Sequence, residues 1–286
     1  MTGSDELPYV ERTLPARPAG VLRIATWNIN SVRLRLKLLG DLATLSDADV
    51  ICLQETKATN DVFPAAAIAA LGYPHQHMQG DKGYNGVAIL SRHPLSGHGR
   101  RLWARREDSR HVEATLPGGI ELHCVYVPAG GDVPDPATNE KFAHKLEFLD
   151  HLAEYWSGAD PAALRVLVGD LNVAPLDSDV WSHRQLLDVV SHTPAETTRF
   201  DAIMAGHGWV DALRALHPEP RRLYTWWSYR NRDWRASDRG RRLDHVWVSK
   251  PLAQRLRAVY VLKGARDWQQ GSDHVPVIVD LDQARR

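Results

Sequence analysis

The fold is decided by the stretch Val166-Leu167-Val168-Gly169-Asp170-Leu171-Asn172-Val173-Ala174-Pro175. Three apolar residues typical of a buried strand run into a glycine, then a carboxylate and an amide two positions apart, then a proline that ends strand pairing. Side chains two positions apart on an extended chain share a face, so Asp170 and Asn172 are predicted to point into one pocket. The alternative is an ordinary turn, because Gly, Asp, Asn and Pro are common turn residues.

A hydrophobic strand that ends on polar side chains recurs elsewhere in the chain, and this recurrence favours a site over a turn. The further polar positions are Asn28 with Asn30, Glu55, Asp244, and Asp273 with His274. A buried acid must be solvated, paired or bound to a metal. Oxygen ligands with few cysteines suit Mg²⁺ or Mn²⁺ rather than structural zinc, and such an ion usually also takes a substrate phosphate. The pattern therefore predicts phosphoryl chemistry.

Composition places the chain among ordinary globular proteins. With 286 residues and 43% hydrophobic content it can bury a sizeable core. No apolar run approaches the roughly 20 residues that span a bilayer, and residues 1–20 lack a basic-then-apolar signal pattern, so no membrane contact and a cytoplasmic location are expected, at the nucleoid in a bacterium. Cys52 and Cys124 lie in apolar strand-like runs and are predicted to be reduced core thiols.

Charge is unevenly distributed although the net charge is zero, with 35 basic and 35 acidic residues. Residues 221–242 contain eight arginines and two aspartates, with five aromatic residues among them. Arginines bind phosphates, and aromatic rings stack on bases or line a sugar pocket. The segment is therefore predicted to contact nucleic acid.

The order of the predicted elements indicates an α+β sandwich. Strands outnumber helices, several neighbours pair through hairpins, and helices fall between groups of strands. The polar residues 1–20 are expected to be a flexible N-terminal tail or an arm laid over the surface, and residues 21–286 a single domain. The predicted elements include a helix over Asn139–Trp156, a short helix over Phe200–His207 and a strand over Tyr224–Ser228.

Seven short motifs stand in the order seen in exonuclease III-like AP endonucleases, members of the endonuclease/exonuclease/phosphatase superfamily. They are Trp27–Asn30, Leu53–Lys57, Gly86–Ser91, Tyr126–Pro128, Gly169–Pro175, Arg242–Asp244 and Ser272–Pro276. Over residues 21–281 the chain resembles this family. The resemblance implies a DNase-like, four-layer α/β sandwich, in which two packed mixed β-sheets are flanked by helices and the site lies at one rim of the sheets.

The resemblance also implies a metal site. Mg²⁺, for which Mn²⁺ would substitute, is expected on Glu55. Asn30 would either bind the ion or contact its ligands, and Asp273 would either contact those ligands or be an alternative ligand. Many relatives carry aspartate where Asn30 stands, so the metal environment is expected to be less negative here.

The implied catalytic residues surround the phosphate. Asp170 would either activate the attacking water or protonate the 3′ leaving oxygen, and both roles stay open. His274, held and charged by Asp244, would donate a hydrogen bond to the scissile phosphate. Three further residues would orient the water or contact phosphate oxygens, namely Asn28, Asn172 and Tyr126.

The implied partner is double-stranded DNA containing abasic sites or 3′ ends, cut 5′ to the abasic site, degraded 3′ to 5′ and cleaned at blocked 3′ ends. The expected DNA contacts are Lys57, Arg110, Lys141, Lys145, Trp226, Arg230 and Leu243. Lys141 and Lys145, at helical i, i+4 spacing, would form one basic face. Trp226 and Leu243 match the family's abasic-sugar pocket, unless Trp226 and Trp227 merely alternate across a strand.

Two departures and two alternatives stay open. Asp238 stands where relatives usually have asparagine and Ala129 where an amide is common, and both bear on the balance of endonuclease and exonuclease activity. A phosphoinositide or other phosphoester phosphatase could use the same scaffold. A catalytically silent DNA-binding protein would need only the basic rim, so the full polar set counts against it. The family is generally monomeric, and a monomer is expected.

Overall fold

The computed structural model describes residues 8–104 and 106–283, which contain two six-stranded β-sheets. The strands are β1 (Val21–Asn28), β2 (Val50–Gln54), β3 (His75–Asp81), β4 (Tyr84–Ser91), β5 (Ser96–Gly99), β6 (His111–Leu116), β7 (Ile120–Tyr126), β8 (Arg165–Asp170), β9 (Val210–Asp211), β10 (Asp244–Val248), β11 (Leu256–Val261) and β12 (Val277–Asp282). The α-helices are α1 (Leu36–Ser46), α2 (Ala65–Ala70), α3 (Glu140–Ser157), α4 (His183–Leu186), α5 (Pro194–His207), α6 (Ala212–Leu216), α7 (Trp234–Ser237) and α8 (Lys250–Ala253). Short 3₁₀ helices cover Asp177–Asp179 and Lys263–Asp267.

The two sheets have the same pattern of parallel and antiparallel strand pairs. The strand order is β3-β4-β2-β1-β12-β11 in the first sheet and β5-β6-β7-β8-β10-β9 in the second. Each sheet has one parallel pair, β1 with β2 and β7 with β8, and antiparallel neighbours on both sides of it. Because the strands of a parallel pair end at the same edge, the chain leaves β1 and β2, and likewise β7 and β8, at one edge of its sheet.

Three apolar layers hold the sheets and helices together. Alternate residues of both sheets, including Ile24, Cys124 and Val168, form a shared core between them. The opposite face of the first sheet packs against α1 and α2, and that of the second against α3 and α5. Successive strand side chains point to opposite faces, so every central strand contributes to two layers. The predicted four-layer α/β sandwich is confirmed.

The predicted elements differ from the observed ones at two places near the site. Helix α5 begins at Pro194 rather than Phe200, because Thr193 and Glu196 form a capping box that starts the helix earlier. The predicted strand Tyr224–Ser228 is not a regular strand. Within it, Trp226 makes only isolated bridges, to Arg241 and His274.

Residues 8–20 form an arm on the surface, which is the second of the two expectations for the N-terminal segment. The backbone N–H of Val10 donates to the carbonyl of Val261 at 2.8 Å, which attaches the arm beside β11. The Tyr9 hydroxyl accepts the N–H of Tyr224 at 2.7 Å. These bonds join the arm to β11 and to Tyr224, and residues 1–7 lie outside the described part of the chain, so the flexible tail stays a prediction.

Cys52 and Cys124 are both free and buried, as predicted. Across residues 8–104 and 106–283, no helix combines the length and the apolar composition needed to cross a bilayer.

Candidate active site

Strand ends from both sheets meet around one cavity of about 250 Å³. Its lining contains eight of the predicted site residues, namely Glu55, Tyr126, Asp170, Asn172, Trp226, Leu243, Asp273 and His274. The sheet register explains part of this convergence. Tyr126 pairs with Asp170 across β7 and β8, and Asp244 pairs with Asp170 across β10 and β8.

Asn28 connects the two sheets at the cavity. Its amide nitrogen Nδ2 donates to Oε1 of Glu55 and to Oδ2 of Asp170, both at 2.9 Å. Tyr126 donates its hydroxyl to the same Glu55 oxygen at 2.9 Å. Burial would raise the pKa of Glu55, but the hydrogen bonds from Asn28 and Lys57 outweigh burial and lower it. Glu55 is therefore a carboxylate at neutral pH.

Asp170 ends β8 and is buried. The backbone N–H of Asn172 donates to its Oδ1 at 3.0 Å, and the Asn172 side-chain amide donates to its Oδ2 at 3.2 Å. Asn172 has a φ of 52°, which turns the chain back toward the carboxylate. Burial raises the pKa of Asp170 to about 7 against the opposing charge of His274. A carboxyl group with this pKa can both take up and release a proton near neutrality.

His274 lies between two carboxylates. Its Nδ1 is 2.8 Å from Oδ2 of Asp244, and its Nε2 is 3.6 Å from Oδ2 of Asp170. Burial alone would lower the pKa of His274, but the charges of Asp244 and Asp170 outweigh it and raise the pKa to about 10. The imidazole is therefore protonated at neutral pH, and both ring nitrogens are donors.

Thr225 supports this pair and was missed by the sequence analysis. Its hydroxyl donates to Oδ2 of Asp244 at 2.6 Å and accepts the backbone N–H groups of Leu243 and Asp244 at 3.0 Å. A single threonine among arginines and tryptophans carries no local signal of such a role, because its partners come from another strand.

An oxygen-rich corner lies beside the cavity, formed by Glu55, Asn30 and Asp273. The ammonium of Lys57 contacts Oε2 of Glu55 at 2.9 Å and Oδ1 of Asn30 at 2.6 Å. Asn30 donates its amide N–H to Oδ1 of Asp273 at 3.4 Å. These oxygens already stabilise one positive charge, and carboxylate and amide oxygens are the ligands that Mg²⁺ prefers. The corner therefore fits Mg²⁺ or Mn²⁺.

Trp226 and Leu243 form the apolar wall of the cavity. The indole N–H of Trp226 donates to Oδ2 of Asp273 at 2.9 Å, and the Arg241 guanidinium lies 5.4 Å from the centre of a Trp226 ring. Trp227 is fully buried, and its N–H donates to Asp238 at 3.0 Å. The two tryptophans do alternate, but Trp226 faces the cavity.

The cavity is the middle of a longer groove. A space of about 710 Å³ extends on one side to Lys57, Arg110 and Lys141, and a space of about 720 Å³ extends on the other side to Arg230. All three spaces share Gly131 in their lining. The second of the two flanking spaces is the more cationic, with three arginines and one aspartate, whereas the first mixes basic and acidic side chains. Basic side chains are thus available to phosphates on both sides of the acidic centre.

A model of the endonuclease/exonuclease/phosphatase family matches residues 25–274. The chain belongs to this family. Exodeoxyribonuclease III of Haemophilus influenzae is 30% identical over 268 residues, which cover 90% of this chain and 98% of that protein. The resemblance to exonuclease III-like AP endonucleases, predicted from the seven motifs, is confirmed.

Two solved structures show the same family fold. An AP endonuclease from Archaeoglobus fulgidus is 34% identical, with a TM-score of 0.84 and coverage of 91% of this chain and 99% of its own. The 3′ phosphatase NExo from Neisseria, bound to a product DNA hairpin, is 32% identical with the same TM-score of 0.84 and the same two coverages, 91% and 99%.

Lys145 is predicted to contact DNA, but the structure places it in the protein interior. It is fully buried, forms an ion pair with Glu196 and donates to the carbonyl of Asn172 at 2.7 Å. Lys141, one turn earlier on α3, is exposed at the groove. The two lysines therefore do not share a basic face, and Lys145 positions the loop of Asn172 because the helix descends from the rim into the core.

Arg110 lines the groove but is mostly covered. Its Nε donates to Asp108 at 2.6 Å, and its guanidinium lies 4.8 Å from the centre of the Tyr126 ring. Ala129 also lines both the groove and the cavity. Asp238, the other departure from the family pattern, binds Trp227 and the ammonium of Lys263 rather than facing the cavity.

Part of the basic segment 221–242 is structural. Arg242 is fully buried and paired with Asp179 and Asp211. Arg235 pairs with Glu11 and Asp267. The groove is lined instead by Arg230, Arg239 and Arg241. Counting arginines along the sequence therefore overstates the charge available to a polyanion.

Proposed function

We propose that this protein is a divalent-metal-dependent DNA repair nuclease that cuts the phosphodiester 5′ to abasic sites, degrades duplex DNA from 3′ ends and removes blocking groups there. The observation that carries the proposal is the meeting of Glu55, Asp170 and His274 at one cavity inside a groove flanked by cations. The names of the family members described above agree with nuclease and 3′-end chemistry.

Glu55 and Asn30 would hold Mg²⁺, or Mn²⁺ in its place, with Asp273 as a further ligand. When bound, the ion supplies positive charge that polarises a phosphate oxygen. Lys57 contacts the same oxygens, and with an ion bound there its ammonium would be available to the DNA backbone.

His274 donates from Nε2 to an oxygen of the scissile phosphate, and Asp244 keeps the imidazole charged and oriented. Fixed donors aimed at developing negative charge are typically worth about 10² to 10³ in rate each. Asn172 and Tyr126 present a side-chain amide and a hydroxyl at the same cavity. These groups surround the phosphate with donors.

Asp170 handles the proton in hydrolysis. Water attacks phosphorus, the bond to the 3′ oxygen breaks, and one proton passes from the water side to the leaving oxygen. Asp170 either takes up the proton that the water releases or supplies the proton that the leaving oxygen accepts, and a pKa of about 7 serves either role. Asn28 and Asn172 hold its oxygens in place during either transfer.

Trp226 and Leu243 would accept the abasic sugar, and Lys57, Arg110, Lys141 and Arg230 would contact the backbone on both sides. A soluble inositol phosphate would need neither the long groove nor its cations, which is why the phosphatase alternative is not favoured. A silent DNA-binding protein would have no use for the polar network inside the cavity.

The experiment compares the wild-type protein with Asp170→Asn on an abasic-site duplex and on a recessed 3′ end, with Mg²⁺ and with EDTA. We expect Mg²⁺-dependent cleavage of both substrates by the wild type and a loss of at least about 10² in kcat for the variant, with DNA binding retained. Asp188→Asn, at an exposed position, is the matched control and should be unaffected. An intact abasic duplex alongside hydrolysis of a soluble inositol phosphate would contradict the proposal.

Two properties remain predictions from the sequence and the family. We propose a monomer, testable by sedimentation of the purified chain, and a cytoplasmic location, at the nucleoid if the source is bacterial, testable by imaging a tagged protein.

A further inference from the structure

Three side chains outside the catalytic cavity direct possible metal-ligand atoms into one space. They are Asp177, His183 and His192, whose ligand atoms all lie within 4.8 Å of one another. His183 Nδ1 is 2.9 Å from Oδ1 of Asp177 and 2.8 Å from Nε2 of His192. His192 is buried, whereas the side chains of Asp177 and His183 are 72% and 42% exposed. A cation can therefore reach a fixed inner ligand directly from solvent.

The hydrogen bond on the far side of His192 assigns its protonation. Its Nδ1 lies 2.6 Å from the backbone carbonyl of Ala174, which can only accept a hydrogen bond. Nδ1 therefore carries a proton, and in the neutral ring Nε2 presents its lone pair toward His183. Metal-binding histidines are held in this way, with a carbonyl or carboxylate on the second ring nitrogen.

A second cluster in the protein, His111, Glu113 and His123, does not meet this criterion. His111 Nδ1 accepts the backbone N–H of Arg101 at 3.0 Å, so its proton is on Nε2 and points to His123 Nδ1 at 3.1 Å. A metal on Nε2 would move that proton to Nδ1, against an N–H donor. The His111, Glu113 and His123 cluster is therefore a hydrogen-bond network rather than a metal site.

We propose that Asp177, His183 and His192 bind a divalent transition cation of the Zn²⁺ class, with water completing the coordination. Two imidazoles and a carboxylate suit Zn²⁺, whereas Mg²⁺ prefers oxygen ligands, so this site and the oxygen-rich corner select different ions. Tetrahedral Zn²⁺ bonds of about 2.0 to 2.1 Å place ligand atoms roughly 3.3 Å apart. The two contacts of His183 Nδ1 need to lengthen by about half an ångström to admit the ion, which replaces these hydrogen bonds.

The site is connected to the loop that follows Asp170. Ala174, which accepts from His192, also donates its own N–H to the carbonyl of Ser191 at 2.7 Å. Ser191 lines the catalytic cavity. A bound ion would therefore stiffen residues 174–192 and one wall of the cavity, so its role is structural.

The test uses the intact protein with excess Mg²⁺, added to compete for the oxygen-rich corner. Co²⁺ is the probe, because tetrahedral Co²⁺ absorbs strongly in the visible, and Zn²⁺ is the competitor. We expect the wild type and the control Asp188→Asn to bind one Co²⁺ per chain that Zn²⁺ displaces. His183→Gln and Asp177→Asn should bind it at least about 10-fold more weakly. Zn²⁺ should raise the Tm of the first two proteins only.

Several results would overturn the proposal. These are absence of a Zn²⁺-displaceable Co²⁺ spectrum in the wild type, an unchanged Co²⁺ affinity in His183→Gln, or a loss of the spectrum in Glu55→Gln with full binding in Asp177→Asn, which would place the ion at the oxygen-rich corner. Both tested side chains are partly exposed, so their replacement is not expected to unfold the chain. The readouts do not depend on nuclease activity, and failure here leaves the proposed function unaffected.

Discussion

The hydroxyl of Thr225 makes three hydrogen bonds: it donates to the Asp244 carboxylate and accepts two backbone N–H groups. Thr225→Val keeps the shape but removes the hydroxyl, leaving buried groups unpaired. We expect a loss of about 1 to 3 kcal/mol in the free energy of unfolding and a slower turnover. Urea unfolding and single-turnover cleavage measure the two effects. Thr225→Ser should restore both, and wild-type values for Thr225→Val would show that the hydroxyl is dispensable.

His245 contacts the loop that follows Asp170 and is fully buried. Its Nε2 lies 2.8 Å from the carbonyl of Val173, and its Nδ1 lies 3.2 Å from the guanidinium of Arg242. The carbonyl can only accept and the guanidinium can only donate, so the ring is neutral with its proton on Nε2. Burial, together with the charge of Arg242, lowers the pKa of His245 to about 4.

This lowered pKa predicts a loss of stability in acid. The unfolded chain protonates His245 near its ordinary value of about 6.5, whereas the folded chain does so only near 4. The stability due to the neutral ring is therefore complete above about pH 6.5 and is lost as the pH falls toward 4, up to about 3 kcal/mol. His245→Gln retains a donor without titrating and should reduce this loss, measured by urea unfolding at about pH 7 and about pH 5. The exposed His98→Gln is the control, and an equal acid loss in both variants would refute the assignment.

At the scale of elements, β1 and β12 are joined by a buried ion pair. Arg23 and Asp280 stand opposite each other in the register, and the guanidinium makes two hydrogen bonds of 2.7 Å to the carboxylate. Both side chains are 1% exposed. The pair fixes the register because a one-residue slip would leave both charges buried and unpaired.

Replacing one partner of this pair should destabilise the protein strongly. Asp280→Asn leaves the Arg23 charge buried without its counterion, and we expect a loss of about 3 to 5 kcal/mol. Asp282→Asn, two residues along the same strand, breaks a pair with Arg257 whose side chains are half exposed and should cost under about 1 kcal/mol. Urea unfolding of both variants measures the two losses in the free energy of unfolding. Similar losses would mean that the buried pair contributes no more than the surface pair.

Helix α3 shows how an element can carry two functions. Its first turn lies at the groove with Lys141, and one turn later Lys145 is already in the core against Glu196. Spacing along a helix predicts which face a residue occupies, but not how deep that face lies. That depth depends on α5, which packs against α3 and supplies Glu196.

Over the whole molecule, attraction to DNA depends on where the charges lie, because the net charge is zero. Attraction to DNA must then come from the cations along the groove. Lys141→Gln should weaken duplex binding in EDTA and reduce the slope of log affinity against log salt by about 1. Lys37→Gln, on α1 and with a side chain 86% exposed, is the matched control and should leave the slope unchanged. Equal slopes for the two variants would remove Lys141 from the DNA-binding surface.

The organisation of residues 21–286 as a single domain stays a prediction. It is supported by the position of β12, which joins β1 to β11 in the first sheet, so that the last strand of the chain pairs beside the first. The two sheets also share one apolar core.

The strand ends could be predicted from the sequence because their signal is local. A hydrophobic run, a glycine and a polar pair such as Asp170 with Asn172 are adjacent in the chain, and the alternation of strand side chains fixes which of them share a face. The same reasoning placed Glu55 and His274 at a common site. The same local signals are misleading for Tyr224–Ser228, which is not a regular strand, and for Lys145, which is buried rather than exposed to DNA.

The layered α/β architecture, the family and the polar residues that end the strands can be predicted from the sequence alone, because they depend on local patterns and on the order of short motifs. The three-dimensional structure was needed to show that Thr225 supports Asp244, that Arg242 and Lys145 are buried counterions, and that two histidines meet Asp177. Burial and pairing depend on distances between segments far apart in the chain, and those distances exist only once the two sheets have packed.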